Sequence, residues 1–286
     1  LVDFASGHEH FGLHFRNGEW IFREWAPNAA AIFLVGTFSG WSRRNKFALE
    51  KTGNGQWEIR LPADAIKHGD LYRLSVDWEG GGGERIPAYA RRCVQDYRTD
   101  IFNAEVWQPE MPYEWKLHVF KPGLELLLIY EAHVGMAQDK FGIGTYAEFT
   151  RNIIPRIVKA GYTALQLMAI QEHPFYASFG YQVSNFFAPS SRFGTPDEVK
   201  ELIDTAHQAG LTVLVDLVHS HAVKNEVEGP SCFDGTTYQY FHEGPRGYHS
   251  LWDSRLFDYS KPEVLHFLLS NVRYWLDEFR FDGFRF

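Results

Sequence analysis

Strand-like and helix-like segments alternate over the second half of the sequence, and this alternation limits the fold more than any other feature. The apolar runs LELLLIYEAHV, TALQLMAI and LTVLVDLV, and the final FDGFRF, are typical of strands in a parallel sheet, which are covered on both faces. Amphipathic segments separate these runs. The pattern therefore predicts one parallel sheet with right-handed helical crossovers.

Helix signals mark the intervening segments. One predicted helix has Pro196 at its first position and ends at Gly210. The preceding predicted helix contains Pro155, which is expected to kink it. Capping-box spacing, a Ser or Thr followed three residues later by Glu, occurs at Thr145 and Glu148, Thr195 and Glu198, and Ser260 and Glu263.

Four strands and three helices are the first half of a (β/α)8 barrel, which we assign to residues 126–286. A half barrel has two unpaired sheet edges and an apolar interior open to water. We therefore expect the chain to be a C-terminally truncated part of a longer polypeptide.

Residues 1–107 follow a different pattern, with short alternating segments separated by turns and no helical period. A Gly-Asn-Gly turn precedes a predicted strand from Gln56 to Leu61, and four consecutive glycines join another strand pair. These features predict a small immunoglobulin-like β-sandwich. Residues 108–125 contain three prolines and are predicted to be a linker, so the fold class is multi-domain, β followed by α/β.

Composition excludes several functional classes. The net charge of −8 argues against nucleic acid as a partner, since phosphate binding needs a basic face. No uninterrupted apolar stretch is long enough to span a bilayer. The first residues do not read as a signal peptide, and Cys93 and Cys232 lie far apart, so we expect a cytoplasmic protein without disulfides.

Aromatic residues make up 16% of the sequence, and polar residues follow the predicted strands. Aromatic rings pack on the apolar faces of sugars. In a barrel, functional residues lie where strands end. Here those positions hold Glu131, His133, Gln171, Glu172, His173, Asp216, His219, His221, Asn225 and Arg285.

Among these residues, Arg285 on the last strand can form a bidentate bond to Asp216. Alternatively, it can bind a carboxylate one position beyond its own neighbour in the sequence. His221 begins a loop and is interpreted as a substrate contact, whereas His219 is interpreted as structural. His219 and His221, with Asp216 and His242, offer enough ligands for zinc. The neighbouring aromatics favour a sugar, so we predict no metal and no cofactor.

Several sequence blocks resemble the 1,4-α-glucan branching enzymes of the α-amylase family. In the first region, FREWAPNAAAIFLVGTFSGW resembles their N-terminal carbohydrate-binding module, of the module 48 type. In the second, the resemblance rests on IYEAHVG, MAIQEHPFYASFGYQ, VLVDLVHSHAVKN and GPRGYHSLWDSRLFDY. It covers nearly the whole chain. It implies a carbohydrate-binding sandwich followed by the first half of a catalytic barrel.

The resemblance also implies roles for individual residues. Asp216, His221 and Arg285 match supporting residues of the catalytic site, and Tyr181 matches the tyrosine that stacks under the reacting glucose. The remaining substrate-binding candidates are Gln182 and Asn225 in the barrel, and Trp25, Pro27, Trp41, Gln56 and Trp57 in the sandwich. For Trp41 a place in the core is an equal alternative.

In this family the strand reading GFRFDG carries the aspartate nucleophile, and Gly283 to Phe286 supply its first four residues. Asp282 lies at the opposite end of that strand and is not this aspartate. The resemblance therefore implies a retaining double displacement that makes α-1,6 branches on an α-1,4-glucan. It further implies that the nucleophile and the acid follow Phe286, that this chain alone is inactive, and that the full-length protein is a monomer.

Three alternatives remain open at this point. A debranching, isoamylase-like or trehalose-forming relative would share both domains, and the bond formed in the product distinguishes it. A second alternative is a chain that acts only as a glucan-binding module through residues 1–107. A metal-dependent barrel hydrolase would hold zinc in the histidine-rich loop.

Overall fold

The computed structural model describes residues 3–123 and 126–286. In the first part, two antiparallel sheets face each other, one in the order β1-β2-β5-β4 and the other in the order β3-β6-β9-β8, with β7 paired to β6. These strands are β1 Gly12–Arg16, β2 Glu19–Trp25, β3 Ala29–Gly36, β4 Glu50–Gly53, β5 Gln56–Pro62, β6 Leu71–Trp78, β7 Gly81–Arg85, β8 Cys93–Gln95 and β9 Phe102–Glu105. The predicted sandwich is confirmed.

The sandwich core follows from the alternation of its strands. In β2, Trp20, Phe22 and Glu24 are all buried, as the alternation predicts. Glu24 is fully buried, and within the described part of the chain its carboxylate accepts hydrogen bonds from the backbone N–H groups of Trp25 and Ala88 alone. Burial raises the pKa of its carboxyl group to about 8, since a charged group is disfavoured in an apolar interior.

The second part is built on one parallel sheet in the order β10-β11-β14-β18. These strands are β10 Ile129–Ala132, β11 Ala164–Leu167, β14 Thr212–Asp216 and β18 Gly283–Arg285. The helices that connect them are α2 Tyr146–Asn152, α3 Ile154–Lys159, α4 Pro196–Gln208 and α5 Pro262–Phe279. The predicted half barrel is confirmed, and its first helix is broken into α2 and α3 at Ile153, two residues before Pro155.

Two of the three predicted capping boxes form. The hydroxyl groups of Thr145 and Thr195 each accept a hydrogen bond from the backbone of the glutamate three residues on, and each glutamate bonds back to the cap. The third was wrong. The N-cap is Lys261 rather than Ser260 and has no side-chain cap, so the helix begins one residue later than predicted. Ser260 donates both its backbone N–H and its hydroxyl to Asp258 instead.

The first parallel strand is shorter and more exposed than predicted. The predicted strand begins at Leu124 and the predicted linker ends at Glu125, and both residues lie outside the described residues. Leu126 is 84% exposed and Ile129 43% exposed, so the interpretation of this run as buried was wrong. The reason is that β10 is an edge strand of the described sheet, with β11 paired along one edge and no described strand along the other.

Several elements were not anticipated from the sequence. A short helix, α1 Gly7–His10, precedes the sandwich and packs on α5. Between the parallel strands, the chain adds the hairpin of β12 Gln171–Glu172 with β13 Asn185–Pro189, and a three-stranded sheet of β15 His221–Val223, β16 Tyr248–His249 and β17 Ser254–Leu256. These added segments contribute many residues of the candidate site.

The loop after β15 joins the two parts of the molecule. Its Gln239 side chain donates to the carbonyl oxygen of Trp25 at 2.6 Å, and Arg85 of the sandwich donates to the carbonyl oxygen of Cys232 at 2.7 Å. In the predicted linker, the backbone N–H groups of Lys116 and Leu117 donate to the Asp204 carboxylate on α4. The precise boundaries at 107 and 125 stay a prediction. Within the described ranges, no helix is both long and apolar enough to cross a membrane.

Candidate functional site

The centre of the candidate site is a carboxylate at the end of β14. Asp216 and Arg285 are register partners on the adjacent strands β14 and β18, so their side chains emerge side by side. The Asp216 side chain is 3% exposed, and the Arg285 guanidinium donates to its Oδ2 atom. This contact is one of the two alternatives that the sequence left open, and it raises the pKa of Arg285 further above its usual range.

Tyr181 completes this group from the loop between β12 and β13. Its hydroxyl donates to the same Oδ2 atom of Asp216 at 2.7 Å and accepts from Arg285 Nη1 at 3.3 Å. Burial, and then the bond to Asp216, raise the pKa of Tyr181 to about 12. The phenol therefore stays protonated at neutral pH, and its ring is held over the strand end.

The position of Tyr181 depends on the glycine before it. Gly180 has a φ of +90°, which is unfavourable for residues with a side chain. A Cβ atom there would lie 2.1 Å from the carbonyl oxygen of Ala169. Only glycine fits this turn without a shift of the backbone that presents Tyr181.

His221 is held in one neutral form. Its Nε2 lies 2.7 Å from the carbonyl oxygen of Tyr181, which can only accept, so Nε2 carries the proton. Its Nδ1 lies 2.8 Å from the Ser220 hydroxyl. Burial lowers the pKa of His221, which keeps the ring neutral and makes Nδ1 an acceptor.

His219 lies just beyond the end of β14 and is bonded to a buried amide group. Its Nε2 contacts Asn271 Oδ1 at 2.8 Å, and Gln171 Nε2 donates to the same oxygen at 3.1 Å. The Asn271 amide in turn donates to the carbonyl oxygen of Phe186. Burial lowers the pKa of His219 to about 4. These contacts agree with the structural role that the sequence suggested for His219.

A cavity of about 800 Å3 opens above this group, and we call it the strand-end cavity. The predicted residues Tyr181, Asp216, His221 and Arg285 meet in its wall, and the candidates Gln182 and His219 also line it. The sequence analysis missed the aromatic and apolar residues that also line it, which include Phe175, Leu251, Trp252 and Tyr259. A signal existed, since SLWDSRLFDY belongs to a block that carries the family resemblance.

Other candidates at strand ends do not reach the strand-end cavity. Asn225 donates to Glu228 at 3.2 Å and does not line it. Glu131 accepts from Gln166 on the exposed edge. Asp282 accepts from the backbone N–H of Val213 at 2.7 Å, at the far end of β18, as the sequence indicated.

The remaining strand-end candidates are buried in the protein. Glu172 accepts hydrogen bonds from the hydroxyl groups of Ser190 and Ser191, and His173 Nδ1 contacts the carbonyl oxygen of Gln171. His133 lies among aromatic rings, and no hydrogen-bond partner for its side chain is found among the described residues. We assign these residues to structural support.

A second cavity of about 880 Å3, the interdomain groove, lies between the sandwich and the loop after β15. It brings together the predicted residues Trp25, Pro27 and Gln56, with Tyr240 on the opposite wall. Trp57, which the sequence suggested as a substrate-binding residue, lies in the sandwich core instead. It is 5% exposed, and its indole N–H donates to the carbonyl oxygen of Ala26. Trp41 is 42% exposed but lies outside the groove lining.

Metal ligation was also weighed from the sequence. The proposed zinc ligands are engaged with other groups: His219 with Asn271, His221 with Tyr181, and His242 with Asp258 at 3.4 Å. Within residues 3–123 and 126–286, the one group with metal-ligand spacing is His8, Glu9 and Asp277. The Arg273 guanidinium already bonds to both of these carboxylates, at 3.0 and 2.9 Å, which disfavours a second cation.

Comparison with known proteins agrees with this arrangement. Residues 10–90 match the family model of carbohydrate-binding module 48, the isoamylase N-terminal domain, and residues 151–245 match that of the α-amylase catalytic domain. The chain joins a module 48 domain to part of an α-amylase catalytic domain. The module 48 domain contributes one wall of the interdomain groove, and the α-amylase domain supplies the strand-end cavity.

Curated relatives match over the whole chain. The 1,4-α-glucan-branching enzyme of Rhizophagus irregularis is 50% identical, over 99% of this chain and 42% of that protein. That of Aspergillus oryzae is 50% identical, over 100% and 42%. The 1,4-α-glucan-branching enzyme 2-2 of Arabidopsis thaliana is 49% identical, over 100% and 36%. The predicted resemblance is confirmed, and the chain spans about two fifths of the length of these relatives.

Solved structures share the fold at lower identity. A pullulanase from Bacillus acidopullulyticus gives a TM-score of 0.79 at 23% identity, over 96% of this chain and 38% of that one. A pullulanase variant from Paenibacillus barengoltzii, complexed with maltotriose, gives 0.81 at 20% identity, over 97% and 48%. These similarities confirm the fold class: a β-sandwich followed by a partial α-amylase barrel.

Proposed function

We propose that this chain provides the sandwich and the first barrel strands of a 1,4-α-glucan-branching enzyme. The observation that carries the proposal is the group of Asp216, Tyr181 and Arg285 at the strand ends, in a chain about half identical to enzymes of that name along its whole length. The substrate is an α-1,4-glucan such as glycogen, amylose or starch, and the product carries α-1,6 branches.

The proposed reaction is a retaining double displacement. A carboxylate attacks the anomeric carbon of an α-1,4-linked glucose, the bond from that carbon to the 4-oxygen breaks, and a carboxylic acid gives its proton to the leaving oxygen. The 6-hydroxyl of another glucan chain then attacks the anomeric carbon of the glycosyl ester and gives its proton to the carboxylate that acted as the acid. The ester bond breaks, the first carboxylate is released, and an α-1,6 bond forms. This chemistry needs neither a metal nor an organic cofactor.

The residues of this chain bind and orient the sugar in that scheme. The Tyr181 ring is assigned to the apolar face of the reacting glucose, and His221 and Asp216 to its hydroxyl groups. Arg285 bears a fixed positive charge next to that glucose, where it keeps a nearby carboxylate ionised. Because the tyrosine, the aspartate and the arginine fix one another, little reorganisation is needed during the reaction.

The product bond tests this proposal. The full-length gene product is incubated with amylose, and the products are examined by iodine absorbance and by NMR of the α-1,6 anomeric protons. We expect iodine absorbance to fall while α-1,6 signals appear without a matching rise in reducing ends. New reducing ends alone, loss of α-1,6 bonds from glycogen, or formation of trehalose would contradict branching and favour one of the related activities.

A second function, glucan binding away from the reacting bond, is favoured by the interdomain groove. Trp25 and Tyr240 form an edge-to-face pair with ring centroids 5.3 Å apart, and both line the groove. We propose that this groove holds a glucan chain. Retarded migration of the protein in a native gel containing glycogen would support binding, and unchanged migration would contradict it.

The location and the oligomeric state are further proposals. Cys93 and Cys232 are both free thiols in the structure, which suits a reducing compartment such as the cytoplasm. A monomeric full-length protein also stays a prediction.

A further inference from the structure

A hairpin tip forms one side of the strand-end cavity. The tip consists of Leu251 and Trp252, which lie between β16 and β17 and both line the cavity. Leu251 is 89% exposed and Trp252 is 51% exposed. Two large apolar side chains that are open to water at the edge of a cavity are costly to solvate, and such surfaces mark binding sites.

The tip lies next to the sugar-binding group proposed above. The centroid of the Trp252 indole is 5.0 Å from that of the His221 imidazole. His221 in turn contacts Tyr181 through a hydrogen bond. A linear ligand that contacts Tyr181 and His221 therefore passes Trp252 with its next ring.

The tip is also held in place before any ligand binds. Gln182 donates to the carbonyl oxygen of Trp252 at 2.7 Å, and the indole stacks on His249 with centroids 4.1 Å apart. Lys224, which follows β15, pairs with Asp253 at 2.5 Å. A binding surface that is already ordered loses little conformational entropy when it takes up a ligand.

The surface of the tip is suited to a neutral ligand. The nearest groups are an indole, an alkyl side chain and the uncharged His221, and the charges of Lys224 and Asp253 neutralise each other. An aromatic ring stacks well on the apolar face of a flat, uncharged ring. A second glucose of an α-1,4 chain has such a face.

We propose that Leu251 and Trp252 form a stacking platform for the glucose next to the reacting one, so that Trp252 sets the preference of this site for longer chains. The inference rests on the proposed function and extends it by a specificity-determining residue. Trp252 acts on binding and does not take part in bond breaking.

The test compares glucans of different length on the full-length gene product. Wild-type protein, Trp252→Ala and Trp252→Phe are titrated with maltose and maltohexaose by calorimetry, and kcat and KM are measured on amylose. For Trp252→Ala we expect about a tenfold weaker Kd for maltohexaose, little change for maltose, and a raised KM with kcat nearly unchanged. Trp252→Phe should restore most of the affinity.

Two further variants keep the result interpretable. Leu251→Ala removes an exposed side chain without an aromatic contact, and we expect it to weaken maltohexaose binding about threefold. Tyr97→Ala, at a residue 81% exposed and outside both cavities, should leave it unchanged. If wild-type protein makes branches while Trp252→Ala and Leu251→Ala bind both sugars normally, the platform is refuted. If wild-type protein neither binds nor branches glucans, the proposed function itself fails.

Discussion

The strand-end cavity and the interdomain groove have similar volumes but are organised in different ways. The strand-end cavity is built around one buried carboxylate, that of Asp216, which Tyr181 and Arg285 hold with hydrogen bonds. In the groove, Trp25 and Tyr240 pack edge to face, and the polar contacts across it include bonds from Gln239 to a backbone oxygen and from Asn28 to Asp234. The first arrangement fixes an ion pair at the cavity wall, whereas the second sets two aromatic rings against each other, a surface that we propose to hold a glucan.

Removal of the central carboxylate is the strongest test of this difference between the two cavities. In the full-length gene product, Asp216→Ala leaves Arg285 and Tyr181 without their shared partner, and we expect kcat/KM on amylose to fall about a thousandfold. Glycogen retardation in native gels should persist, because the groove is intact. Glu131→Gln, which changes an exposed carboxylate on β10, serves as the matched control. Equal losses in both variants would remove Asp216 from its central role.

The stability of the sandwich beside the groove should depend on pH through Glu24. The pKa of this buried carboxyl group is raised to about 8, so its contribution to stability is fully present below its ordinary pKa of 4.5 and is lost as the pH rises through 8. Between pH 5 and pH 9 the wild-type protein should lose about 3 kcal/mol that Glu24→Gln does not lose.

Thermal unfolding at several pH values measures this difference. The melting temperature of the wild-type protein should fall relative to that of Glu24→Gln as the pH rises. Parallel curves for the two proteins would show that Glu24 does not titrate in this range.

The contribution of an aromatic residue inside the groove to glucan binding can be distinguished from that of an exposed aromatic residue elsewhere on the sandwich. Trp25→Ala should weaken glycogen binding about tenfold and leave turnover of short maltooligosaccharides unchanged. Trp41→Ala tests the alternative sequence candidate, which is exposed but outside the groove. If Trp41→Ala weakens glycogen binding more than Trp25→Ala, glucan is held on another face of the sandwich.

The smallest expected effect concerns a single hydroxyl group. Tyr181→Phe keeps the ring but removes the bond to Asp216, while the Arg285 bond remains. We expect kcat/KM to fall about fivefold, with the affinity for maltohexaose little changed. Tyr97→Phe is the control. A loss as large as that of Asp216→Ala would mean that the hydroxyl itself takes part in the reaction.

The elements that could be predicted are those fixed by local chemistry. The capping boxes at Thr145 and Thr195 and the break before Pro155 depend on neighbours within a few residues, and all three were predicted correctly. The box at Ser260 failed because its backbone N–H, which Glu263 would have to bind, donates to Asp258, and the helix begins one residue later. A spacing rule alone does not show such a competition.

The sequence by itself determined the two folds and the strand ends at which Asp216, His221 and Arg285 lie, because hydrophobic period and strand order follow from local side chains. Only the tertiary structure decided which candidates meet in one cavity. It placed Trp57 in the core, Asn225 outside the cavity and Trp252 beside His221, because contacts between residues distant in the chain depend on how loops fold back on the sheet.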